Sequence, residues 1–219
     1  MAKRIDVAIE HSPKKTFATA VDWPGWSRSG RTEQDALDAL RSYAARYASV
    51  AERAGEAFPG TSISLRVIER NEGGGGTAFG VPSLVTGADR RRTTAADADR
   101  LARLVEAAWA HLDEIAAASP EVLRKGPRGG GRDRTRMLGH VVGADHGYAR
   151  EIGVKLPEPR PDDRAAVEAL HRAVLEVLRR PTDGSPLDGR RWTARYAAHR
   201  IAWHALDHAW EIEDRREPG

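Results

Sequence analysis

Two histidines in the last predicted helix have the spacing of a metal-ligand pair. This helix is predicted over about residues 192–214, and His204 and His208 lie four positions apart within it. Positions i and i+4 lie on one face of an α-helix, about 5–6 Å apart at Cβ, so two imidazoles can reach one divalent ion. His199 projects to the opposite side. The pair lacks the glutamate of H-E-x-x-H, which excludes the zinc-protease mechanism, and it needs a third ligand from elsewhere.

A second predicted helix, over about residues 133–152, contains a third candidate ligand. Its apolar stripe consists of Met137, Val141, Ala144 and Tyr148. His140 falls within this stripe, whereas His146 projects to the opposite side. His140 is therefore expected to face the interior, where His204 and His208 also point. Three neutral imidazoles could bind Zn²⁺, Ni²⁺ or Fe²⁺, at about 2.0–2.1 Å for zinc, and leave a coordination position open.

Charged residues near these helices are candidates for supporting roles. Asp145 could act as a base or as a hydrogen-bond partner of a ligand, and a helical salt bridge is the alternative. Arg200 and Glu211 flank the histidine pair; Arg200 could hold a ligand carboxylate, with a solvated or ion-paired side chain as the alternative. Arg128 and Arg132 could bind an anionic cofactor group, or belong to a soluble loop. The other histidines are interpreted as surface or hydrogen-bonded residues: His11, His111, His146, His171 and His199.

Composition restricts the chemistry and the partners. The 219-residue chain contains no cysteine, which excludes disulfides, thiolate ligands and a cysteine nucleophile. Its 35 basic and 32 acidic residues nearly balance, so the pI of about 9.4 is no argument for a nucleic-acid partner. No apolar run approaches 18 residues, and the first ten residues lack the apolar core of a signal peptide. We therefore expect a cytoplasmic protein with no membrane partner.

The N-terminal third has the pattern of a small α+β unit. Strands are predicted at 4–10, 15–22 and 62–69, and a helix at 33–55. Thr32 with Asp35 resembles a capping box at the start of that helix. The order β-β-α-β indicates a helix that covers a sheet. The predicted boundaries are 1–72 for this domain, 73–92 for a linker and 93–219 for a C-terminal domain. Flexible chain is expected at residues 73–76, which are all glycine.

The C-terminal two thirds has the pattern of an all-α four-helix bundle. Helices of roughly 20 residues with short connections are predicted at 94–118, 133–152, 161–180 and 192–214. The last helix has a second apolar stripe, opposite the histidine pair, formed by Trp203, Leu206 and Trp210. A helix that is apolar on two sides is sandwiched. The second stripe is therefore expected to seat either the N-terminal domain or a second copy of the chain in a homodimer.

The N-terminal third resembles the HicB antitoxin-like domain. The run from Val21 to Leu40, VDWPGWSRSGRTEQDALDAL, follows the pattern of that family after its first two strands. The matching positions are Pro24, Gly25, Gly30, Thr32 and Ala36. Trp26 replaces a small residue and Asp35 a glutamate. The resemblance implies that the N-terminal domain binds a partner protein. We interpret this domain as a structural or interaction unit.

The C-terminal two thirds resembles the DinB/YfiT-like superfamily. The matching stretches are RMLGHVVGADHGYAREIG, centred on His140, and RIAWHALDHAWEIEDR, centred on His204 and His208. The resemblance implies that these three histidines hold a divalent metal inside a four-helix bundle. It also implies thiol-dependent transferase or isomerase activity with mycothiol, bacillithiol or glutathione, as in some members. The chain departs from the frequent ending H-x-x-x-H-R-G-Q, since it has Ala209, Trp210 and Glu211 there.

Two hypotheses of different class follow. The first is an enzyme that acts on a small molecule as a thiol-dependent transferase or isomerase, or as a hydrolase. Its metal would lower the pKa of a bound water or thiol, and the thiol would come from a low-molecular-weight cofactor because the chain has no cysteine. The second is a non-catalytic interaction or regulatory module, in which the HicB-like domain binds a partner.

Overall fold

A four-stranded mixed sheet forms the N-terminal part of the protein. The computed structural model describes residues 3–125 and 131–216. The strands are β1 (Lys3–His11), β2 (Thr16–Ala20), β3 (Ser27–Gly30) and β4 (Ile63–Glu72). Their spatial order is β3-β2-β1-β4, with antiparallel pairs throughout except that β1 and β4 run parallel. Parallel neighbours need a long crossover, and helices α1 (Glu33–Ser42) and α2 (Ala44–Arg53) supply it. This part is α+β, as predicted.

Two N-terminal elements differ from the sequence prediction. Strand β3 lies in a segment that was predicted as turns. Its residues, Ser27–Gly30, lack the apolar alternation of a strand, and only their backbone pairing with β2 makes them one. The single helix predicted over 33–55 is divided at Tyr43, which has φ −88° and ψ 1°. The Tyr43 ring packs edge-on against Trp210, with ring centroids 5.0 Å apart. A tertiary contact therefore accompanies this break, and no glycine or proline marks it.

The segment predicted as a linker covers the second face of β1. It contains the short helix α3 (Gly75–Phe79), where flexible chain was expected. The buried carboxylate of Glu10 accepts hydrogen bonds from the backbone N–H groups of Ser83 at 3.0 Å and Leu84 at 3.3 Å, and from the Thr77 hydroxyl. A buried carboxylate needs such donors. These hydrogen bonds hold the segment against the sheet.

Four long helices make up the C-terminal part. They are α4 (Ala95–Ala117), α5 (Arg134–Glu151), α6 (Arg164–Leu178) and α7 (Ala194–Arg215). Helix α4 packs against α6 and α7, and α5 contacts the same two helices. Helix α6 begins three residues after the predicted start at Pro161, because the Asp163 side chain accepts the N–H of Ala166 and caps it there. Within the described ranges, no helix combines the length and the apolarity needed to cross a membrane.

The second apolar stripe of α7 seats the N-terminal part of the same chain. Trp203 packs edge-on against Phe17 of β2, with ring centroids 6.1 Å apart. Leu206 lies so close to Gly25 that a Cβ there would stand 2.7 Å from its Cδ1. The fully buried Trp210 contacts the junction of α1 and α2. Of the two occupants expected for this stripe, the structure shows the N-terminal domain.

Candidate metal centre

Three histidines converge between α5 and α7. Nε2 of His140 lies 3.2 Å from Nε2 of His204. The ring centroid of His208 lies 5.0 Å from that of His140 and 4.6 Å from that of His204. One ligand atom from each residue can be chosen so that all three lie within 4.8 Å of one another. The three residues singled out by sequence are thus close enough to bind one metal ion.

The spacing of the ring nitrogens fits a shared ion. Two nitrogens that each lie about 2.0–2.1 Å from zinc, at a tetrahedral angle, are about 3.3–3.4 Å apart. The 3.2 Å between the Nε2 atoms of His140 and His204 is close to that value. The three rings meet at 65°, 84° and 87° rather than stacking, as ligands that approach one centre from different directions would. The same 3.2 Å also fits one hydrogen bond between neutral rings.

Burial keeps the imidazoles of His140 and His204 in the form that binds metal. Burial, reinforced by the charges of His208 and Arg200, lowers the pKa of His204 to about 2. Burial also lowers the pKa of His140, with a further contribution from the charge of Arg132. A histidine must be neutral to donate a lone pair to a metal. His204 and His208 are buried and His140 is half-buried.

A carboxylate on the same helix orients His208. Glu211 Oε2 lies 3.2 Å from His208 Nδ1, and Glu211 Oε1 accepts a hydrogen bond from Arg215 Nη1 at 2.7 Å. The hydrogen bond with His208 lowers the pKa of Glu211, so the carboxylate is ionised and accepts the Nδ1 proton. The neutral tautomer of His208 that matches this contact has its lone pair on Nε2. The sequence pattern predicts Glu211 beside the histidine pair but does not predict a role for Arg215, whose only signal is its i+4 spacing from Glu211.

His204 is held by packing rather than by a hydrogen bond to its second nitrogen. Its Nδ1 is buried and has no partner among the described residues. The Tyr148 ring meets the imidazole edge-on at 5.6 Å, and the Trp203 ring lies at 6.2 Å. The two candidate ligands on α7 therefore differ, since among the described residues only His208 has a carboxylate to fix its tautomer.

Arg200 lies one turn before His204, between two aromatic rings. Its Cζ is 5.0 Å from the ring centroid of Tyr148 and 4.8 Å from that of Trp203. Its Nη1 is buried without a partner, and the described residues offer it no ion pair. The described residues do not show the ion-paired alternative, and the side chain is half-buried. It is a cation with an unused donor close to the cluster.

The other residues predicted to support the site are Asp145, Arg132 and Arg128. In the part of the chain that the structure describes, neither Asp145 nor Arg132 is hydrogen-bonded to the three histidines. The buried Asp145 carboxylate accepts a hydrogen bond from Trp109 Nε1 at 2.9 Å and lies 3.3 Å from His171 Nε2, so its partners are on α4 and α6 and not on its own helix. Arg132 is exposed and close enough for its charge to lower the pKa of His140 and His204. Arg128 falls outside the described residues.

Most of the other histidines are hydrogen-bonded, as predicted. His11 bonds to Thr16, His146 to the Leu156 carbonyl, His171 to Asp145 and His199 to the Val21 carbonyl. His111 differs from the prediction, because it is buried on α4 and its Nε2 has no partner among the described residues. Burial lowers its pKa, which keeps the ring neutral.

Comparisons of the chain with protein-family models, with curated proteins and with solved structures found no match in any of the three. The functional proposal therefore rests on the geometry of the three histidines and on the groups around them.

Proposed function

We propose that the protein is a metal-dependent enzyme similar to the DinB/YfiT-like proteins, with Zn²⁺, Ni²⁺ or Fe²⁺ held by His140, His204 and His208. The observation that carries the proposal is the convergence of three imidazoles from two helices, with ligand atoms within 4.8 Å of one another. Burial disfavours the protonated form of His204 and His140. A metal ion therefore does not have to displace a proton from either ring.

The proposal includes a four-helix bundle for the C-terminal part. Helices α4 to α7 have between 15 and 23 residues, and each of α6 and α7 contacts both α4 and α5. Bundles of this kind hold metals between side chains of facing helices. His140 on α5 and the histidine pair on α7 have that relationship.

The proposed reaction is a thiol-dependent transfer or isomerisation of a small molecule, or a hydrolysis. Three protein ligands, in place of the four of a structural zinc site, leave one position for a reacting group. A bound divalent ion would lower the pKa of a water or thiol at that position. The chain has no cysteine, so the thiol is a low-molecular-weight cofactor of the mycothiol or bacillithiol type.

Residues of the chain would orient these groups. Glu211 holds the His208 ring in the tautomer whose Nε2 is free, through the contact at 3.2 Å. Arg200 and Arg132 place two positive charges near the cluster, as their effect on the pKa of His204 indicates. Positive charge at the mouth of a site attracts anionic ligands. We therefore propose a carboxylate or another anionic group on the thiol cofactor or on the substrate.

Metal analysis tests the proposal. Protein purified without chelator should contain near-stoichiometric divalent metal by mass spectrometry, and His204→Ala should lose it. His146→Ala is the matched control, because His146 bonds to the Leu156 carbonyl on another side of α5 and should keep the metal. Far-ultraviolet circular dichroism verifies that both variants fold. Equal metal content in the two variants would refute the proposal. The metal-loaded protein is then assayed with an electrophilic substrate panel, with and without thiol, to separate transfer from hydrolysis.

A non-catalytic interaction module is the second candidate. It is favoured by β4, which lies at an edge of the sheet and exposes Ile68 to 44% of its maximal area. An edge strand can pair with a strand of another chain, as the HicB-like resemblance would suggest. Light scattering of the purified protein tests for a homodimer through this edge, and Ile68→Lys should make a dimer monomeric.

A further inference from the structure

A second pocket lies among α4, α5 and α6, and none of the three metal-site histidines lines it. Its volume is about 100 Å³. A dry cavity of about 150 Å³ binds benzene in another protein, so this pocket accommodates a compact group of a few heavy atoms. The apolar part of its wall consists of Leu112, Leu138, Val141, Val142, Pro161 and Val167.

A buried carboxylate with an unused oxygen forms part of the wall. Asp145 is 2% exposed, and its Oδ2 accepts a hydrogen bond from Trp109 Nε1 at 2.9 Å and lies 3.3 Å from His171 Nε2. Its Oδ1 is buried and has no partner among the described residues. Buried polar atoms are nearly always hydrogen-bonded, and leaving one unpaired costs about 1–3 kcal/mol. The site therefore needs a hydrogen-bond donor that the described chain does not offer.

The charges on the wall favour a cation. Three carboxylates line the pocket, those of Asp113, Asp145 and Glu168. The single guanidinium, of Arg164, lies 2.9 Å from Asp113 and 2.8 Å from Glu168 and is occupied by them. His171 is the other group that can carry positive charge. With the three carboxylates ionised, the wall is net negative whether or not His171 is protonated. Burial raises the pKa of Asp145, and a bound cation would offset that effect by stabilising the ionised form.

The position of His171 keeps the carboxylate fixed. Its ring stacks on the Trp109 ring at 3.7 Å between centroids and 2° between planes. Both rings also direct a nitrogen at the same oxygen of Asp145, its Oδ2. With Oδ2 held by two neighbours, Oδ1 is the oxygen left for a ligand.

We propose that this pocket binds a small organic cation, namely a primary or secondary ammonium group on a short branched hydrocarbon. The ammonium N–H donates to Oδ1 of Asp145, and the hydrocarbon packs against Val141, Val142 and Val167. This site is independent of the proposed metal centre. The negative wall disfavours a ligand that carries a carboxylate. A neutral alcohol can donate a hydrogen bond to Oδ1 but lacks the positive charge, so we expect it to bind more weakly than the ammonium.

Binding of isobutylammonium to the full-length protein tests this inference, with isobutanol and isobutyrate as probes of the same shape. The ¹H–¹⁵N resonance of the Trp109 indole reports on the site, because that N–H donates to Asp145. We expect a saturable shift with isobutylammonium, at least tenfold weaker binding of isobutanol, and none of isobutyrate. Equal binding of isobutylammonium and isobutanol would overturn the proposal. The absence of a saturable shift with isobutylammonium would also overturn it, and a water molecule would then be the partner of Oδ1.

Variants separate this pocket from the metal centre and from effects on folding. Asp145→Asn keeps the shape and removes the charge, and should weaken isobutylammonium at least tenfold. Val142→Phe fills the pocket without changing the carboxylate, and should abolish the shift even if the first variant does not fold. His204→Ala should bind isobutylammonium as the wild type does. Unchanged binding in Val142→Phe would contradict the proposed location, and loss of binding in His204→Ala would contradict its independence.

Discussion

The carboxylate of Glu211 lies 3.2 Å from Nδ1 of His208, which is one turn earlier on α7. The contact links one metal-site candidate to an ion pair, because Glu211 Oε1 also accepts a hydrogen bond from Arg215 Nη1 at 2.7 Å. A carboxylate that accepts the N–H of a ligating histidine fixes its tautomer and raises its basicity. The i, i+3 spacing of His208 and Glu211 builds this support into a single helix.

Glu211→Gln should weaken metal binding by about 10- to 100-fold while the protein stays folded, because the amide is a poorer acceptor for the His208 N–H. Competition with a chromophoric chelator measures the affinity. Glu213→Gln is the matched control on the same helix, since Glu213 faces Arg46 at 3.6 Å instead of a histidine. Identical affinities for the two variants would show that the Glu211 contact does not support the metal.

Arg200→Met should tighten metal binding several-fold. The guanidinium is one of the charges that lower the pKa of His204, and a positive charge that disfavours a proton there also disfavours a metal cation. Methionine retains an unbranched apolar side chain between Tyr148 and Trp203. Arg195→Met, whose charge is not among the causes of the lowered His204 pKa, should leave the affinity unchanged. Weaker binding in Arg200→Met would mean that the side chain supports the site by packing.

The metal-free protein should lose stability as the pH falls below about 6.5. His204 has a folded pKa lowered to about 2, against about 6.5 when unfolded. The unfolded chain therefore binds the proton first, and the free energy of unfolding falls with decreasing pH across this window, by up to about 1.4 kcal/mol per pH unit. Urea unfolding in chelator between pH 6.5 and 5 measures the slope.

The variant His204→Gln separates this histidine from the other groups that titrate. It should show a shallower dependence of unfolding free energy on pH than the wild type over the same range. Carboxylates whose folded pKa is lowered, such as that of Glu211, also lose stability in acid, but at lower pH. Equal slopes for variant and wild type above pH 5 would contradict the buried neutral state of His204.

Gly25→Ala should destabilise the protein more than Gly55→Ala. Both glycines have positive φ, +90° and +72°, but a Cβ at Gly55 meets open space whereas one at Gly25 stands 2.7 Å from Leu206 Cδ1. Gly55→Ala should cost about 1–2 kcal/mol for the left-handed backbone alone, and Gly25→Ala more because of the clash. Thermal unfolding of the two variants measures the difference. Similar losses would mean that α7 and the segment at Gly25 can move apart at little cost.

A double-mutant cycle tests the same contact. Leu206→Ala alone should cost about 2–5 kcal/mol, because the side chain is fully buried. The double variant of Gly25→Ala with Leu206→Ala should lose less than the sum of the two single losses, since the smaller side chain relieves the clash. Additive losses would place the strain of Gly25→Ala elsewhere.

Local periodicity was enough to select the three candidate ligands. His204 and His208 share a face because an α-helix has 3.6 residues per turn, and His140 lies in the apolar stripe of its own helix. The capping box of Thr32 with Asp35 was visible for the same reason, as it depends on residues three positions apart. Interactions within one turn can be read from neighbouring residues.

Contacts between distant segments required the tertiary structure. The 3.2 Å between the Nε2 atoms of His140 and His204 joins residues 64 positions apart, and the partners of Asp145 come from two other helices. Strand β3 exists because β2 pairs with it, and the second stripe of α7 could have met either the N-terminal sheet or another copy of the chain. The position of a residue on a helix shows which way its side chain points but not which residues it meets. Those residues belong to segments that are distant in the sequence, and the local pattern carries no information about them.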